Sequence, residues 1–100
     1  MDPAIPNITI SDVVVSTAGR DQGEWFYVIA EDPTYLLLAN GKDRTLDRPK
    51  RKKRKHVQKV LRSETRVARK LQQGDKVLNG ELRRDLAFHA DQMQANNLGG

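Results

Sequence analysis

The stretch VVVSTAGRDQGEWFYVIA, residues 13–30, decides the fold of this chain. It contains two runs of β-branched and aromatic residues, which favour an extended backbone. Between the runs lie Gly19 and Gly23, and glycine tolerates the positive φ angles of a tight loop. The stretch therefore predicts two strands joined by a short polar loop. The second run is apolar at both odd and even positions, so we expect both faces of that strand to be covered.

Residues on either side of this stretch extend the pattern. Residues 8–16 lead into the first strand, alternating loosely before they become continuously apolar. Residues 31–34 (EDPT) predict a turn, since Asp bonds to nearby backbone and Pro fixes φ. A third strand is expected at Tyr35–Ala39.

The next turn signal is the pair Asn40 and Gly41, a strong indication of a hairpin. We expect a short fourth strand at residues 44–46 and a fifth near His56 and Val57. Short strands with tight turns are typical of an antiparallel barrel or half-barrel. The predicted fold class is therefore mainly β.

The chain has 100 residues, which suits one compact unit with a modest core. It contains no cysteine, which rules out disulfides and thiolate metal sites and fits the reducing environment of a cytoplasmic protein. Residues 1–6 show no secretory signal, and no apolar run is long enough to span a membrane. We therefore expect no membrane partner.

Positive charge is concentrated in the middle third of the chain. Residues 1–41 carry one basic and six acidic side chains, a net charge of −5. Residues 42–73 carry fourteen basic and three acidic side chains, or +11, and residues 74–100 carry three and four, or −1. The sum is the +5 of the whole chain. A field distributed in this way favours a polyanion as partner.

The centre of this field is RPKRKKRKH, residues 48–56, which we call the basic run. Its seven positive charges in nine residues repel each other, so we expect the run, when alone, to be extended and solvated. Lys and Arg displace condensed counterions when they contact phosphates, which supplies most non-specific affinity for nucleic acid. We interpret the basic run as a phosphate-binding segment. The alternatives are a solvated run that promotes solubility and, in a eukaryotic source, a nuclear localisation signal.

Helical periodicity begins after the basic run. Ser63 is a candidate N-cap, Val67 and Leu71 share one face, and Gly74 is a candidate C-terminal stop. The opposite face is predicted to be a basic stripe, which is either part of the binding surface or an ordinary solvated face. Its residues are Arg62, Arg66, Arg69 and Lys70.

A second amphipathic helix is predicted to begin at Asn79, which is a candidate N-cap. Its apolar residues recur at helical spacing. They are Leu82, Leu86, Ala90 and Met93.

Several stretches together resemble a bacterial family of small KOW-domain RNA-binding proteins. They are residues 14–23 (VVSTAGRDQG), 37–41 (LLANG), 48–57 (RPKRKKRKHV) and 79–83 (NGELR). That family is similar to the large-subunit ribosomal proteins of the fourteen-e type in archaea and eukaryotes. The basic run is the most distinctive part of the resemblance.

The resemblance implies a small SH3-like (KOW) antiparallel barrel at residues 9–58, which include the basic run, followed by two short α-helices at residues 62–93. Residues 1–8 and 94–100 are expected to be flexible tails. The resemblance also implies RNA binding, with ribosomal RNA and the ribosome as candidate partners. It implies neither an enzyme nor a cofactor.

The first loop departs from the KOW pattern. KOW loops are often richer in basic residues, whereas here Asp21, Gln22 and Glu24 surround the single Arg20. Bulky Trp25 follows where a smaller or more polar residue is common. We therefore assign the main RNA contacts to the basic run rather than to this loop.

The predicted RNA contacts extend from the first loop to the start of the first helix. They are Arg20, Arg48, Lys50, Arg51, Lys52, Lys53, Arg54, Lys55, His56, Lys59, Arg62 and Arg66. Arg51 and Arg54 are able to fork onto a phosphate or to stack on a base. Trp25, Tyr27 and Tyr35 are suited either to stacking on unpaired bases or to the core of the barrel.

Other classes of function find less support in the sequence. The main alternative is an SH3-like module that binds an acidic protein partner. His56 and His89 are far apart, with no cysteine and no clustered carboxylates, so no metal site is predicted. No Ser-His-Asp set can be assembled, and there is no P-loop or dinucleotide fingerprint. We expect no small-molecule substrate.

Overall fold

The computed structural model describes residues 7–99, and it describes their side chains up to residue 95. The first six residues of the predicted N-terminal tail, and Gly100, lie outside the described residues. The elements are β1 (Asp12–Ser16), β2 (Trp25–Glu31), β3 (Tyr35–Ala39), β4 (Lys50–Lys53), β5 (Val57–Arg62), α1 (Arg66–Gln73) and α2 (Asn79–Gly99), with a 3-10 turn (Arg54–His56) between β4 and β5.

The strands form one five-stranded antiparallel sheet in the order β4-β3-β2-β1-β5, with β2 at its centre. Phe26 and Val28 enter a core on one face of the sheet, which we call the inner core. Tyr27 enters a second core on the opposite face, which the two helices cover and which we call the helix-side core. The prediction that both faces of this strand are covered is therefore confirmed.

The first strand begins later than the sequence pattern indicates. Ile8 is only 5% exposed and belongs to the inner core, so its assignment to the flexible tail is wrong. Ser11 has a φ of +73°, which interrupts the extended chain just before β1. The segment between these two residues therefore packs across the sheet instead of lengthening β1.

The predicted hairpin at Asn40 and Gly41, with a fourth strand at residues 44–46, is wrong. Residues 40–49 form a loop, and the next strand is β4 within the basic run. The Asn40 side chain accepts hydrogen bonds from the backbone N–H groups of Lys42 and Arg44, at 2.9 and 3.0 Å, and so organises a wider turn. Gly41 has positive φ, as expected, but it lies against the backbone of α2.

The predicted N-cap of the first helix is wrong, whereas its predicted C-terminal end is confirmed. Thr65, not Ser63, is the N-cap of α1, because its side chain accepts a hydrogen bond from the Ala68 N–H. Gly74 ends the helix in the left-handed conformation with a φ of +74°, which confirms the predicted stop. Arg62 lies at the end of β5, so the predicted basic stripe does not lie on a single helix.

The second helix begins at Asn79, but the side chain of this residue does not cap it. Asn79 Oδ1 instead accepts a hydrogen bond from the Leu46 N–H at 2.8 Å, which ties the helix to the loop before β4. Leu82 and Leu86 are buried as predicted, whereas Ala90 and Met93 are exposed. The helix continues to Gly99, past the predicted end of the helical pair at residue 93. Neither helix described here meets the length and hydropathy needed to cross a membrane.

We expect Gly41→Ala to destabilise the protein much more than Gly74→Ala. Both glycines have nearly the same positive φ, so the backbone cost of a Cβ is similar at the two sites. A Cβ at Gly41 would lie 2.2 Å from the Asn79 carbonyl oxygen, whereas at Gly74 it would meet nothing within 4 Å. The expected difference in unfolding free energy is about 1–3 kcal/mol, measured by urea denaturation. Equal losses would show that Gly41 is not a packing contact for α2.

Candidate nucleic-acid interface

The basic run is not a solvated segment: its central part is a strand of the sheet. β4 pairs with β3 in a register that sets Lys53 opposite Tyr35 and Arg51 opposite Leu37. Successive side chains of a strand point to opposite faces. Within β4, Lys50 and Lys52 therefore turn toward the protein, and Arg51 and Lys53 turn toward solvent.

The even-numbered lysines converge on one carboxylate in the first loop. Lys50 Nζ lies 2.8 Å from Asp21 Oδ2, and Lys52 Nζ lies 2.6 Å from Asp21 Oδ1. The Ser16 hydroxyl donates to the same Oδ1 at 2.7 Å, and Lys52 also donates to the Ala18 carbonyl at 2.7 Å. Lys52 is only 8% exposed, so this pairing occurs largely away from water.

This environment explains why the first loop contains an acidic residue. Burial raises the pKa of Asp21, but the hydrogen bonds from Lys50, Lys52 and Ser16 outweigh it and hold the pKa far below its ordinary value. Asp21 is therefore ionised at any physiological pH. Asp21 binds the first loop to β4.

Two further cations of the predicted site hold the N-terminal segment in place. Arg54 donates to the carbonyl oxygens of Asp32 and Ile8, at 2.7 and 2.8 Å, and lies 3.4 Å from the Glu31 carboxylate. Lys59 Nζ lies 3.1 Å from Asp12 Oδ2. With Lys50 and Lys52, these side chains make up the internally paired cations of the predicted set.

Arg51, Lys53 and Lys55 are exposed, and they take part in none of the ion pairs among residues 7–95. We call these three residues the free cations. Arg51 lies over the ring of Tyr35, with its guanidinium carbon 3.6 Å from the ring centroid. β4 and the turn after it therefore present three exposed cations that lie outside the ion pairs of the described side chains.

The other residues predicted to contact RNA are not among the free cations. Arg20, Arg48, Arg62 and Arg66 are exposed, and His56 is half-buried in the 3-10 turn. In the predicted basic stripe, Arg69 is also exposed. Lys70, however, pairs with Glu81 at 2.9 Å, so it is not part of an open basic surface.

The aromatic side chains of the sheet divide clearly between core and surface. Tyr27 is fully buried, and Trp25 is half-buried against the helix-side core. Tyr35 is half-buried on the same side of the β3–β4 pair as Arg51. Of these three aromatics, Tyr35 alone is placed beside the free cations.

The fold also assembles a buried polar network that the sequence did not predict. The Tyr27 hydroxyl lies between Ser63 Oγ, at 2.8 Å, and His89 Nε2, at 3.1 Å, and it also donates to Asp85 Oδ2. Burial first, and then the hydrogen bond to Asp85, raises the pKa of Tyr27 well above its ordinary value. The network therefore joins β2, the segment after β5 and α2.

This network contains Ser, His and Asp, but it does not form the geometry of a catalytic triad. Ser63 Oγ and Asp85 Oδ2 approach the same ring atom, His89 Nε2, at 3.0 and 3.5 Å. A triad uses the two different ring nitrogens for these partners. Ser63 is also only 1% exposed, so a substrate has no access to its hydroxyl. Because His89 occurs seven residues after Leu82 on the buried stripe of α2, helical spacing was the signal that could have revealed it.

No cluster of three or more His, Asp or Glu side chains within the described part of the chain could hold a metal ion. Comparison with protein-family models and with curated protein sequences found no match.

We expect Asp21→Asn to destabilise the protein by about 3–5 kcal/mol at neutral pH, because it leaves two lysines close to an uncharged amide. The folded-state pKa of Asp21 lies below its value in the unfolded chain. Its contribution is therefore complete above about pH 5 and is lost progressively as the pH falls below about 4. Urea denaturation across this range should show the gap between wild type and variant closing at acid pH.

Glu24→Gln is the matched control, because Glu24 is an exposed acidic residue of the same loop. It should change the stability by less than about 0.5 kcal/mol. A gap between wild type and Asp21→Asn that stays constant with pH would contradict the assigned ion pairs.

Proposed function

We propose that this protein is a non-catalytic RNA-binding protein whose sheet is an SH3-like barrel of the KOW type. The observation that carries the proposal is the set of free cations on β4 and the following turn. Arg51, Lys53 and Lys55 are exposed and lack carboxylate partners among the described residues, although nearby lysines are neutralised. A row of uncompensated cations is the usual electrostatic footprint of a surface that binds phosphates.

The fixed geometry of this row supports binding to a regular polyanion. β4 is hydrogen-bonded to β3, and Lys50 and Lys52 attach its other face to Asp21. Alternate residues on a strand are about 6.6 Å apart, so Arg51 and Lys53 project at a defined spacing. Fixing these side chains on a strand reduces the conformational entropy that binding would otherwise cost.

The path of the chain between β4 and β5 supports the barrel assignment. These strands are the two edges of the sheet, and four inter-strand spacings of a flat sheet would separate them by about 19 Å. The connection is a 3-10 turn of three residues, which spans about 6 Å. The sheet must therefore curl strongly, and the irregularities in β1 and β2 are the type of feature that allows this.

The partner class that we propose is structured RNA, with ribosomal RNA as the first candidate through the KOW resemblance. Arg20, Arg48, His56, Arg62 and Arg66 are then secondary contacts outside the central row. The paired cations Lys50, Lys52, Arg54 and Lys59 are not counted as contacts, because each is already paired with a carboxylate. Because the paired cations are excluded, we expect about three to five phosphate contacts. A plot of the logarithm of the affinity against the logarithm of the salt concentration should then have a slope of about −2 to −4.

The test compares two triple variants that change the net charge equally. Arg51→Gln/Lys53→Gln/Lys55→Gln removes the free cations, and Lys76→Gln/Arg83→Gln/Arg84→Gln removes three exposed cations elsewhere. Fluorescence anisotropy with labelled ribosomal RNA fragments should show lost affinity for the first variant only, with a salt slope that is flatter by about 2 to 3. Urea denaturation should show both variants folded, since exposed substitutions change stability little.

Equal losses in the two variants would indicate binding through net charge alone and would contradict the proposed surface. Tight binding of a poly-glutamate peptide, together with weak binding of RNA by the wild-type protein, would instead favour a module for acidic protein partners.

A further inference from the structure

The pair formed by Tyr35 and Arg51 is the most specialised feature of the proposed RNA surface. The Arg51 guanidinium carbon is in van der Waals contact with the ring of Tyr35, 3.6 Å from its centroid. Arg51 is exposed, and Tyr35 supports it from beneath. A planar cation supported in this way on an aromatic ring keeps its opposite side available to a second flat group.

A shallow groove of about 190 Å³ lies beside this pair. Ala30 and Leu37 contribute apolar lining, and Glu31, Asp32 and Arg51 are its charged lining residues. A hydrogen bond from the Thr9 hydroxyl lowers the pKa of Glu31. Hydrogen bonds from the backbone N–H groups of Tyr35 and Thr34 lower the pKa of Asp32. Both groups are therefore ionised at neutral pH.

The charge of Asp32 decides which kind of group suits the groove. Glu31 is already paired with Arg54, whereas Asp32 takes part in no ion pair among the described side chains. An acidic side chain or a phosphate in the groove would meet the Asp32 carboxylate, and a neutral planar group avoids this repulsion. The positions suited to phosphates are the outward-facing Lys53 and Lys55, next to the groove along the chain. Arg51 therefore lies between the groove, which suits a flat neutral group, and Lys53 and Lys55, which suit anions.

We propose that an unpaired nucleobase of the bound RNA stacks on the outer side of Arg51, while Lys53 and Lys55 hold the flanking phosphates. This inference rests on the proposed function and refines its substrate class to RNA with unpaired bases, such as loops, bulges or single strands. Bases inside a duplex are stacked on each other and cannot reach the side chain in this way. Stacking of one base on a protein platform changes affinity by about 5- to 100-fold.

The experiment measures the affinity of the full-length chain for three short RNA probes by fluorescence anisotropy. The probes are an unstructured single strand, a blunt duplex that contains the same strand, and the single strand with its central bases removed. We expect the wild-type protein to bind the intact single strand about 5- to 100-fold more tightly than the abasic strand. The duplex should bind about as weakly as the abasic strand.

Arg51→Lys is the decisive variant, because it keeps the positive charge and removes the planar guanidinium. We expect the preference for the intact strand to disappear while the salt slope stays unchanged. Arg83→Lys is the matched control, because Arg83 is an exposed arginine of α2 outside the proposed surface, and it should keep both the preference and the slope.

Failure of this inference is distinguishable from failure of the proposed function. If all three probes bind equally, with a steep salt slope, and Arg51→Lys behaves as wild type, base stacking is overturned and phosphate binding stands. If no probe binds in a salt-dependent way, the proposed function fails and the inference fails with it.

Discussion

The contact of Asp21 with Lys50 and Lys52 is the interaction on which the arrangement of the sheet edge depends. It links the loop between the first two strands to a strand that occurs about thirty residues later. An ammonium group as buried as that of Lys52 is tolerated only with a charged partner and satisfied hydrogen bonds. Once these lysines face inward, the alternation of the strand obliges Arg51 and Lys53 to face outward. Asp21 therefore determines which cations of β4 remain exposed.

A second set of polar contacts stabilises the opposite face of the sheet. Tyr27 projects from the central strand into the helix-side core, and its hydroxyl group meets Ser63, Asp85 and His89 there. A chain of 100 residues has a modest hydrophobic core, so a satisfied polar network also specifies how the helices sit on the sheet. The surface of β4 is thus supported by a scaffold that is fixed on both faces.

Local patterns in the sequence predicted the elements whose causes are local. The two-sided apolar pattern of β2 predicted its burial on both faces, and Gly74 predicted the end of α1. The basic run was misread because mutual repulsion is visible in the run itself, whereas its neutralising partner, Asp21, lies far upstream. Gly41 was misread for a similar reason. Its positive φ was anticipated, but the close approach of α2 that requires a glycine depends on tertiary structure.

The contacts of the buried His89 also depend on tertiary structure. Its spacing from Leu82 and Leu86 was visible, but only the fold brings it to Tyr27 and Ser63. The free and paired cations could likewise not be separated by composition, since all are Lys or Arg in one unbroken segment. Their separation required the register of β4 against β3.

The position of β4 at the edge of the sheet has a consequence for how copies of this protein meet. An edge strand has backbone groups that are able to pair with another strand, which is a common route to aggregation. Here that edge bears outward-facing cations, so a second β4 brought alongside would set like charges opposite each other. The cations that we assign to ligand binding would therefore also oppose the pairing of two copies through this edge strand.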